Sequence, residues 1–300
     1  MPPMTTYPSA NGQNIALGIA MGLLAASGLS AMDACVKYLA QEGYSVLFTQ
    51  GTRAIMSFVL FGAIIVMRGE SLSLNRPGWR IVMLRGVLMG IGTIFVFTAL
   101  ARIDISLMTT ILFIYPLIVG LLGAVFLNEP LGPRRILAMI AGFAGVWIAS
   151  GVTFGPDTQV DWALVLPAIA ACIIAVSNIL VRFVPKDLTH NEMNFINVVG
   201  MDIVALPLML FNLEPIQTWT HAAFFLLAGI FSTIGSYGLA VAFRVAPAGL
   251  VGSVNYSSVL VATLLGWLFF NEVPTAWLWL AILLIVGSGV IFTLLQHRER

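Results

Sequence analysis

Charged residues are scarce in this 300-residue chain, at 9% against roughly 25% in an average soluble domain. Hydrophobic residues make up 59% of it, and its mean hydropathy is +0.99. Ten membrane-spanning helices of about 20 residues would occupy about 200 positions. Only short connections remain, which excludes a sizeable soluble domain and predicts an all-α polytopic membrane protein. The net charge of +1 also argues against a nucleic-acid partner.

Cysteine is equally rare, and both copies, Cys35 and Cys172, lie inside apolar runs. This placement favours thiols used as small apolar side chains over a disulfide. The first fourteen residues contain no Lys or Arg, so the basic segment of a cleaved signal peptide is missing there. We therefore expect the first helix to remain in the mature protein.

Motifs for catalysis and metal binding are missing as well. The three histidines are isolated, and neither His-Glu-x-x-His nor Gly-x-Ser-Gly occurs. The nearest approach to a serine nucleophile motif, Gly28-Leu29-Ser30-Ala31, lacks the final glycine. The sequence therefore predicts neither an enzyme nor a metal or cofactor site.

What the chain does contain is a repeat. A shift of 143 positions aligns seven identical residues within thirteen positions of 117–129 and 260–272, namely Leu117, Leu121, Leu122, Gly123, Phe126, Asn128 and Glu129 with Leu260, Leu264, Leu265, Gly266, Phe269, Asn271 and Glu272. A shift of 145 similarly aligns Asp33 with Asn178 and Lys37 with Arg182. The chain therefore consists of two halves of one design.

Apolar runs bounded by turn residues predict ten helices, at 15–40, 46–68, 78–101, 104–127, 133–151, 161–184, 190–212, 219–244, 247–270 and 275–295. They divide the chain into a tail (1–14), a first five-helix repeat (15–151), an external linker (152–160), a second five-helix repeat (161–295) and a tail (296–300). Because five helices per repeat is an odd number, the second repeat must enter the membrane from the opposite side. We therefore expect two inverted repeats.

Basic residues set the orientation. With both termini in the cytoplasm, the outer side holds only Lys37 and Arg102, and the inner side holds Arg68, Arg76, Arg80, Arg134, Arg135, Arg182, Lys186, Arg244, Arg298 and Arg300. Glu129 is then cytoplasmic and Glu272 external. Inverted repeats of this kind place a substrate site between the halves and alternate its access, which favours a carrier. A channel is the alternative, although it would need a more continuous polar stripe.

Four charges lie deep in predicted helices. Asp33 at mid-span is costly in lipid and should face the interior, with Lys37 one helical turn away as its expected partner. The alternative for Lys37 is that it extends to the headgroups. Arg53 either lines a cavity or, as we favour, pins helices through backbone carbonyls. For Asp202 the same two interpretations stay open.

Aromatic and small polar residues on several helices are candidates for the substrate cavity. The aromatic candidates are Phe95, Phe113, Tyr237 and Tyr256, and the polar candidates are Asn178, Ser236 and Asn255, with Asp33 and Lys37 beside them. Pro116 frees a carbonyl and permits a bend in the fourth helix. Small and polar residues that recur on one face of a helix also suit close packing between helices, which is the competing interpretation.

Phe97-Thr98-Ala99-Leu100, Pro116, Asn128-Glu129 and the pair Gly142/Gly145 resemble the ten-helix EamA-type branch of the drug/metabolite transporter superfamily. The resemblance covers nearly the whole chain, and Lys37 and Arg53 also match positions where this family commonly has a basic residue. Val259 stands where the family often has proline, which weakens the case for a bend in the ninth helix like that of the fourth.

The resemblance implies a small-molecule carrier of the inner membrane, commonly an exporter of amino acids or related metabolites, and aromatic amino acid exporters belong to this branch. The few charges and several aromatics of the candidate cavity suit a zwitterion with an apolar or aromatic part. We therefore expect facilitated export of such amino acids, with proton coupling or uptake of another solute as the alternatives. The lipid bilayer and a small molecule are the expected partners.

Overall fold

The computed structural model describes residues 14–69, 77–127, 133–150, 162–184, 188, 190–246, 251 and 254–298. Within these ranges the chain contains no β-strand. The α-helices are α1 (Ile15–Gln41), α2 (Val46–Met67), α3 (Trp79–Leu100), α4 (Ile105–Leu112), α5 (Tyr115–Leu127), α6 (Pro133–Ser150), α7 (Val165–Leu180), α8 (His190–Leu210), α9 (Trp219–Val245), α10 (Ser257–Phe270) and α11 (Ala276–Arg298). Short 3₁₀ turns, Trp162–Leu164 and Val181–Phe183, flank α7.

The described helices account for ten membrane spans. Seven spans are long and apolar enough to cross a bilayer, with α4 and α5 together forming one of them, and three shorter apolar helices complete the set. The predicted all-α, ten-helix membrane fold is therefore confirmed. Glu129 and the linker 152–160 lie outside the described residues, as does most of the N-terminal tail.

The two repeats run in opposite directions. The backbone N–H of Ile105, the first residue of α4, donates to Glu272 Oε2 at 2.9 Å, just past the end of α10. The fourth span therefore begins where the ninth span ends. We call this end of the bundle, where α1 also ends, the Glu272 end, and the opposite end, where α2 ends, the Arg68 end.

Packing exchanges helices between the repeats. The first helix of the first repeat, α1, lies against α9 and α10 of the second repeat. The first helix of the second repeat, α7, lies against α3, α4 and α5 of the first repeat. The second helices of the repeats, α2 and α8, pack on each other, as do the fifth helices, α6 and α11. A two-fold relation between inverted repeats predicts this exchange, so the interface between the halves runs through the whole bundle.

Glycine allows α3 and α8 to approach closely. A Cβ added at Gly200 would lie 2.5 Å from the carbonyl oxygen of Met83 and 2.9 Å from Cα of Gly86. Helices in bilayers commonly associate through such small residues, because close backbone contact increases van der Waals packing. Here the small residues join one repeat to the other.

The fourth and ninth spans are both interrupted at equivalent positions. Phe113 and Ile114 separate α4 from α5, and Pro116 follows as the second residue of α5. Tyr256, which the 143-position shift aligns with Phe113, separates α10 from the helical residues before it. The ninth span is therefore interrupted as the fourth is, although Val259 stands there where the family often has proline.

Candidate functional site

The two interruptions meet at the interface between the repeats. The rings of Phe113 and Tyr256 lie 5.2 Å apart, and Phe113 also contacts Tyr115 at 5.7 Å. The side-chain amide of Asn255 donates to the Tyr115 hydroxyl at 3.3 Å. We call these four residues the aromatic junction. It brings together three predicted site residues, Phe113, Asn255 and Tyr256, and adds Tyr115.

The junction retains polar atoms without a hydrogen-bond partner among the described residues. The Tyr256 hydroxyl and Asn255 Oδ1 are buried in this way, as is the nearby Thr109 hydroxyl of α4. Most buried polar atoms in proteins are paired, and lipid offers no alternative partner. The junction is therefore able to bind hydrogen-bonding groups of a small molecule.

A second polar cluster surrounds Arg53, which is only 4% exposed. Its Nε and Nη2 donate to Gln50 Oε1 at 3.2 and 3.1 Å, and its Nη1 donates to Ser232 Oγ at 2.7 Å. The guanidinium also lies 5.6 Å from the centre of the Phe97 ring. Arg53 thus ties α2 to α9 of the other repeat through side-chain oxygens, rather than through the backbone carbonyls that we expected.

Two carboxylates accompany this guanidinium. Asp33 of α1 and Asp202 of α8 both interact electrostatically with Arg53. An oxygen of each carboxylate, Oδ1, is buried and accepts no hydrogen bond from the described residues. The Arg53 cluster, defined as Asp33, Gln50, Arg53, Asp202 and Ser232, therefore combines one cation with two potential anions and spare acceptors. Asp202 belongs to it, which sequence reasoning had left undecided.

Lys37 has a different partner from the one we expected. Its Nζ forms an ion pair with Glu272 and donates to the carbonyl oxygen of Ile103 at 2.7 Å. The expected pairing with Asp33 was wrong, because the turn between α3 and α4 and the residues after α10 pack against this side of α1. Lys37 thus belongs to a separate cluster at the Glu272 end.

The remaining candidates are dispersed. The Tyr237 hydroxyl accepts a hydrogen bond from Arg68 Nη2 at 2.6 Å, so it lies towards the Arg68 end. Phe95 is partly buried against the core that α1, α3 and α4 share. Asn178 of α7 and Ser236 of α9 are half-buried. Among the described residues, none of these four side chains makes a hydrogen bond or ring contact with the aromatic junction.

Sequence reasoning missed Gln50 and Tyr115, and it noted Ser232 as a polar residue of its helix without placing it beside Arg53. Gln50 and Arg53 are three residues apart in an apolar run, a spacing that places both on one helical face. This spacing could have identified Gln50 as a neighbour of Arg53 from the sequence. Nothing in the sequence connects Ser232 with Arg53, because 179 positions separate them.

An apolar crevice of about 510 Å³ opens between α2 and α8 and reaches Asp202. Ile55, Phe58 and Ile203 line it, and all three are substantially exposed. The crevice therefore brings apolar surface next to one carboxylate of the Arg53 cluster.

The sequence matches a known protein family along most of its length. The family model of the EamA-like transporter family matches the chain twice, at residues 16–151 and 161–295. The chain belongs to the EamA-like transporter family. It is therefore a multi-pass membrane transporter, and the resemblance to the EamA-type branch is confirmed. EamA-like proteins form a family of transporters rather than of enzymes.

Curated relatives of this EamA-like chain carry different substrates. The riboflavin transporter of Rhizobium johnstonii is 29% identical over 72% of this chain and 71% of its own length. The pseudopaline exporter CntI of Pseudomonas aeruginosa is 24% identical over 91% of this chain and 92% of its own length. The S-adenosylmethionine uptake transporter of Rickettsia bellii is 27% identical over 86% of this chain and 87% of its own length.

A solved crystal structure shares the fold. It matches with a TM-score of 0.67 at 20% sequence identity, covering 96% of this chain and all of the other. At this identity the match shows the fold alone. The relatives include both an exporter and an uptake transporter, so family membership fixes neither the substrate nor the direction.

Proposed function

We propose that this transporter is an inner-membrane carrier that exports amino acids with a large apolar or aromatic side chain, or related small metabolites, by alternating access. The observation that carries the proposal is the aromatic junction, where Phe113 and Tyr256 lie 5.2 Å apart. Transporters built from inverted repeats hold their substrates where interrupted helices meet between the repeats. Aromatic rings at that place suit an apolar or aromatic substrate group.

The polar groups suit the other end of such a substrate. Asn255 Oδ1 and the Tyr256 hydroxyl have spare hydrogen-bonding capacity beside the rings. In the Arg53 cluster, the free oxygens of Asp33 and Asp202 complement an ammonium group, and Arg53 complements a carboxylate. An amino acid carries both charges. In this assignment the charged end of the substrate faces the Arg53 cluster and its side chain faces the junction.

Zero net charge also removes the need for a coupled ion. A zwitterion crosses without work against the membrane potential, whereas each net charge would exchange about 2.3 kcal/mol per 100 mV. Export down the concentration gradient then suffices, because cytoplasmic pools of amino acids normally exceed external ones. Facilitated transport is therefore the simplest mechanism for this substrate class.

The proposed orientation places the Glu272 end outside the cell. It follows from the excess of basic residues at the Arg68 end, where both termini lie in this assignment. Residues 15–151 and 161–295 are then the two moving repeats, joined by an external linker at 152–160. Their relative rocking would open the junction to one side at a time.

Proton-coupled transport is the second candidate function. The specific observation in its favour is the pair of buried acids, Asp33 and Asp202, each with an oxygen that accepts no hydrogen bond from the described residues. A carboxylate of this kind is able to carry a proton across the membrane with the substrate. Uptake of another solute is a separate alternative.

A substrate panel on purified protein in liposomes tests both candidates. Phenylalanine, leucine, putrescine and glucose 6-phosphate are compared with and without an imposed proton gradient. We expect saturable flux and counterflow for phenylalanine and leucine, independent of the gradient. Transport confined to putrescine or the sugar phosphate would refute the substrate class, and strict dependence on the gradient would favour the coupled mechanism.

Substitution at the junction ties the flux to this site. Phe113→Leu should weaken phenylalanine transport about threefold to tenfold, since an aromatic pair contributes about 0.5–1.5 kcal/mol beyond its buried area. Phe269→Leu is the matched control, because Phe269 is 70% exposed on α10 and faces away from the core. Equal effects of the two substitutions would remove the junction from the transport path.

A further inference from the structure

Lys37 and Glu272 form a buried ion pair between the two repeats. Lys37 lies on α1 of the first repeat, and Glu272 follows α10 of the second. Their side chains are only 8% and 7% exposed. The proposed substrate path lies between these repeats, and the pair bridges them at the Glu272 end.

Glu272 contacts two parts of the first repeat at once. Its Oε1 pairs with Lys37, and its Oε2 accepts the backbone N–H of Ile105 at 2.9 Å. Lys37 in turn donates to the carbonyl oxygen of Ile103 at 2.7 Å, and its Nζ lies 5.6 Å from the centre of the Phe270 ring. A single carboxylate of the second repeat is thereby held between α1 and the turn that precedes α4.

The backbone around Glu272 is shaped for this contact. Asn271 adopts a left-handed conformation with φ of 55°, and the N–H of Glu272 donates back to the carbonyl oxygen of Gly266 at 3.1 Å. This C-cap turns the chain so that Glu272 reaches the first repeat. A Cβ at Gly266 would lie 2.5 Å from Glu272 Oε2, so glycine there leaves room for the carboxylate.

We propose that the Lys37–Glu272 pair is a lock that holds the Glu272 end of the carrier closed and separates during each transport cycle. The inference rests on the proposed function, because only an alternating carrier needs this end to open. An ion pair suits a reversible contact better than apolar packing does. On opening, both charges become hydrated, which offsets most of the attraction that is lost.

The sequence repeat supplies an independent reason. Gly266, Asn271 and Glu272 recur as Gly123, Asn128 and Glu129 in the first half, and Lys37 aligns with Arg182. Two inverted repeats with the same acidic cap suit a carrier that closes first one end and then the other. Glu129 itself lies outside the described residues.

Cysteine accessibility beneath the lock tests the proposal. Ser30 lies on α1 two turns below Lys37, is 2% exposed, and donates to the carbonyl oxygen of Ser258 at 3.1 Å. The reporter is Ser30→Cys in a background with Cys35 and Cys172 replaced by Ala. Its labelling rate by a membrane-impermeant maleimide is measured on intact cells.

Glu272→Gln should raise the labelling rate at least about tenfold, because losing a charge-assisted hydrogen bond shifts an equilibrium by about that factor or more. Asp104→Asn is the control, since this exposed carboxylate at the same end caps no N–H of α4 with its side chain. It should leave the rate unchanged. An unchanged rate in Glu272→Gln, with the protein folded, would overturn the lock.

A second variant, Gly266→Ala, keeps both charges and so helps to distinguish loss of the lock from a folding defect. Gly266→Ala displaces the Glu272 carboxylate without removing it, so labelling should rise less than in Glu272→Gln but clearly above the control. A rate equal to the control would again overturn the lock. Failure of the wild-type protein to transport any solute of the panel would instead overturn the proposed function, and the two failures are thus distinguishable.

Discussion

Gly200→Ala should separate α3 from α8 and destabilise the interface between the repeats. The added Cβ would lie 2.5 Å from the carbonyl oxygen of Met83, whereas ordinary van der Waals contact begins near 3.4 Å. The obstructing atoms are backbone, including Cα of Gly86 at 2.9 Å, so no side-chain rotation relieves the clash. The helices must move apart by several tenths of an ångström along their whole contact.

Gly287→Ala on α11 is the matched control, because no described atom outside the adjacent backbone of its own helix lies within 4 Å of its added Cβ. Both substitutions gain the same helix propensity of about 1 kcal/mol. Their difference therefore isolates the steric cost, which we expect to be about 1–3 kcal/mol, the usual range for overpacking. Equilibrium unfolding in mixed detergent micelles measures it. Equal stability of the two variants would refute the close approach of α3 and α8.

Two further predictions concern the Arg53 cluster and the orientation. Gln50→Leu should cost about twice as much stability as Ser232→Ala in the same unfolding assay, since Gln50 accepts two of the three described hydrogen bonds from Arg53, each contributing roughly 1.5–3 kcal/mol. Adding Arg53→Met to Gln50→Leu should recover much of the loss, and a purely additive double variant would contradict this account. In a cysteine-free background, an impermeant maleimide on intact cells should label Glu42→Cys but not Arg68→Cys, both positions being exposed. Labelling of both would contradict the assigned orientation.

The sequence by itself determined the number of spans, their approximate limits, the inverted repeat and the family. These properties depend on local composition, because a bilayer requires about twenty apolar residues per helix and tolerates polar backbone only where it is paired. The same reasoning singled out Phe113 and Tyr256 as candidates for the substrate cavity. It also singled out Asp33, Lys37 and Arg53 as deep charges and Glu272 as part of the repeated cap.

Only the tertiary structure decided which of these groups meet. Lys37 pairs with Glu272 rather than with Asp33, its neighbour on the same helix, and Arg53 finds its acceptor Ser232 across 179 positions of sequence. The physical reason is that a buried charge takes the best-placed partner in three dimensions, and helix packing alone determines which partners are within reach. Hydropathy and spacing identify such a charge, but the partner is set by which faces of distant helices the fold brings together.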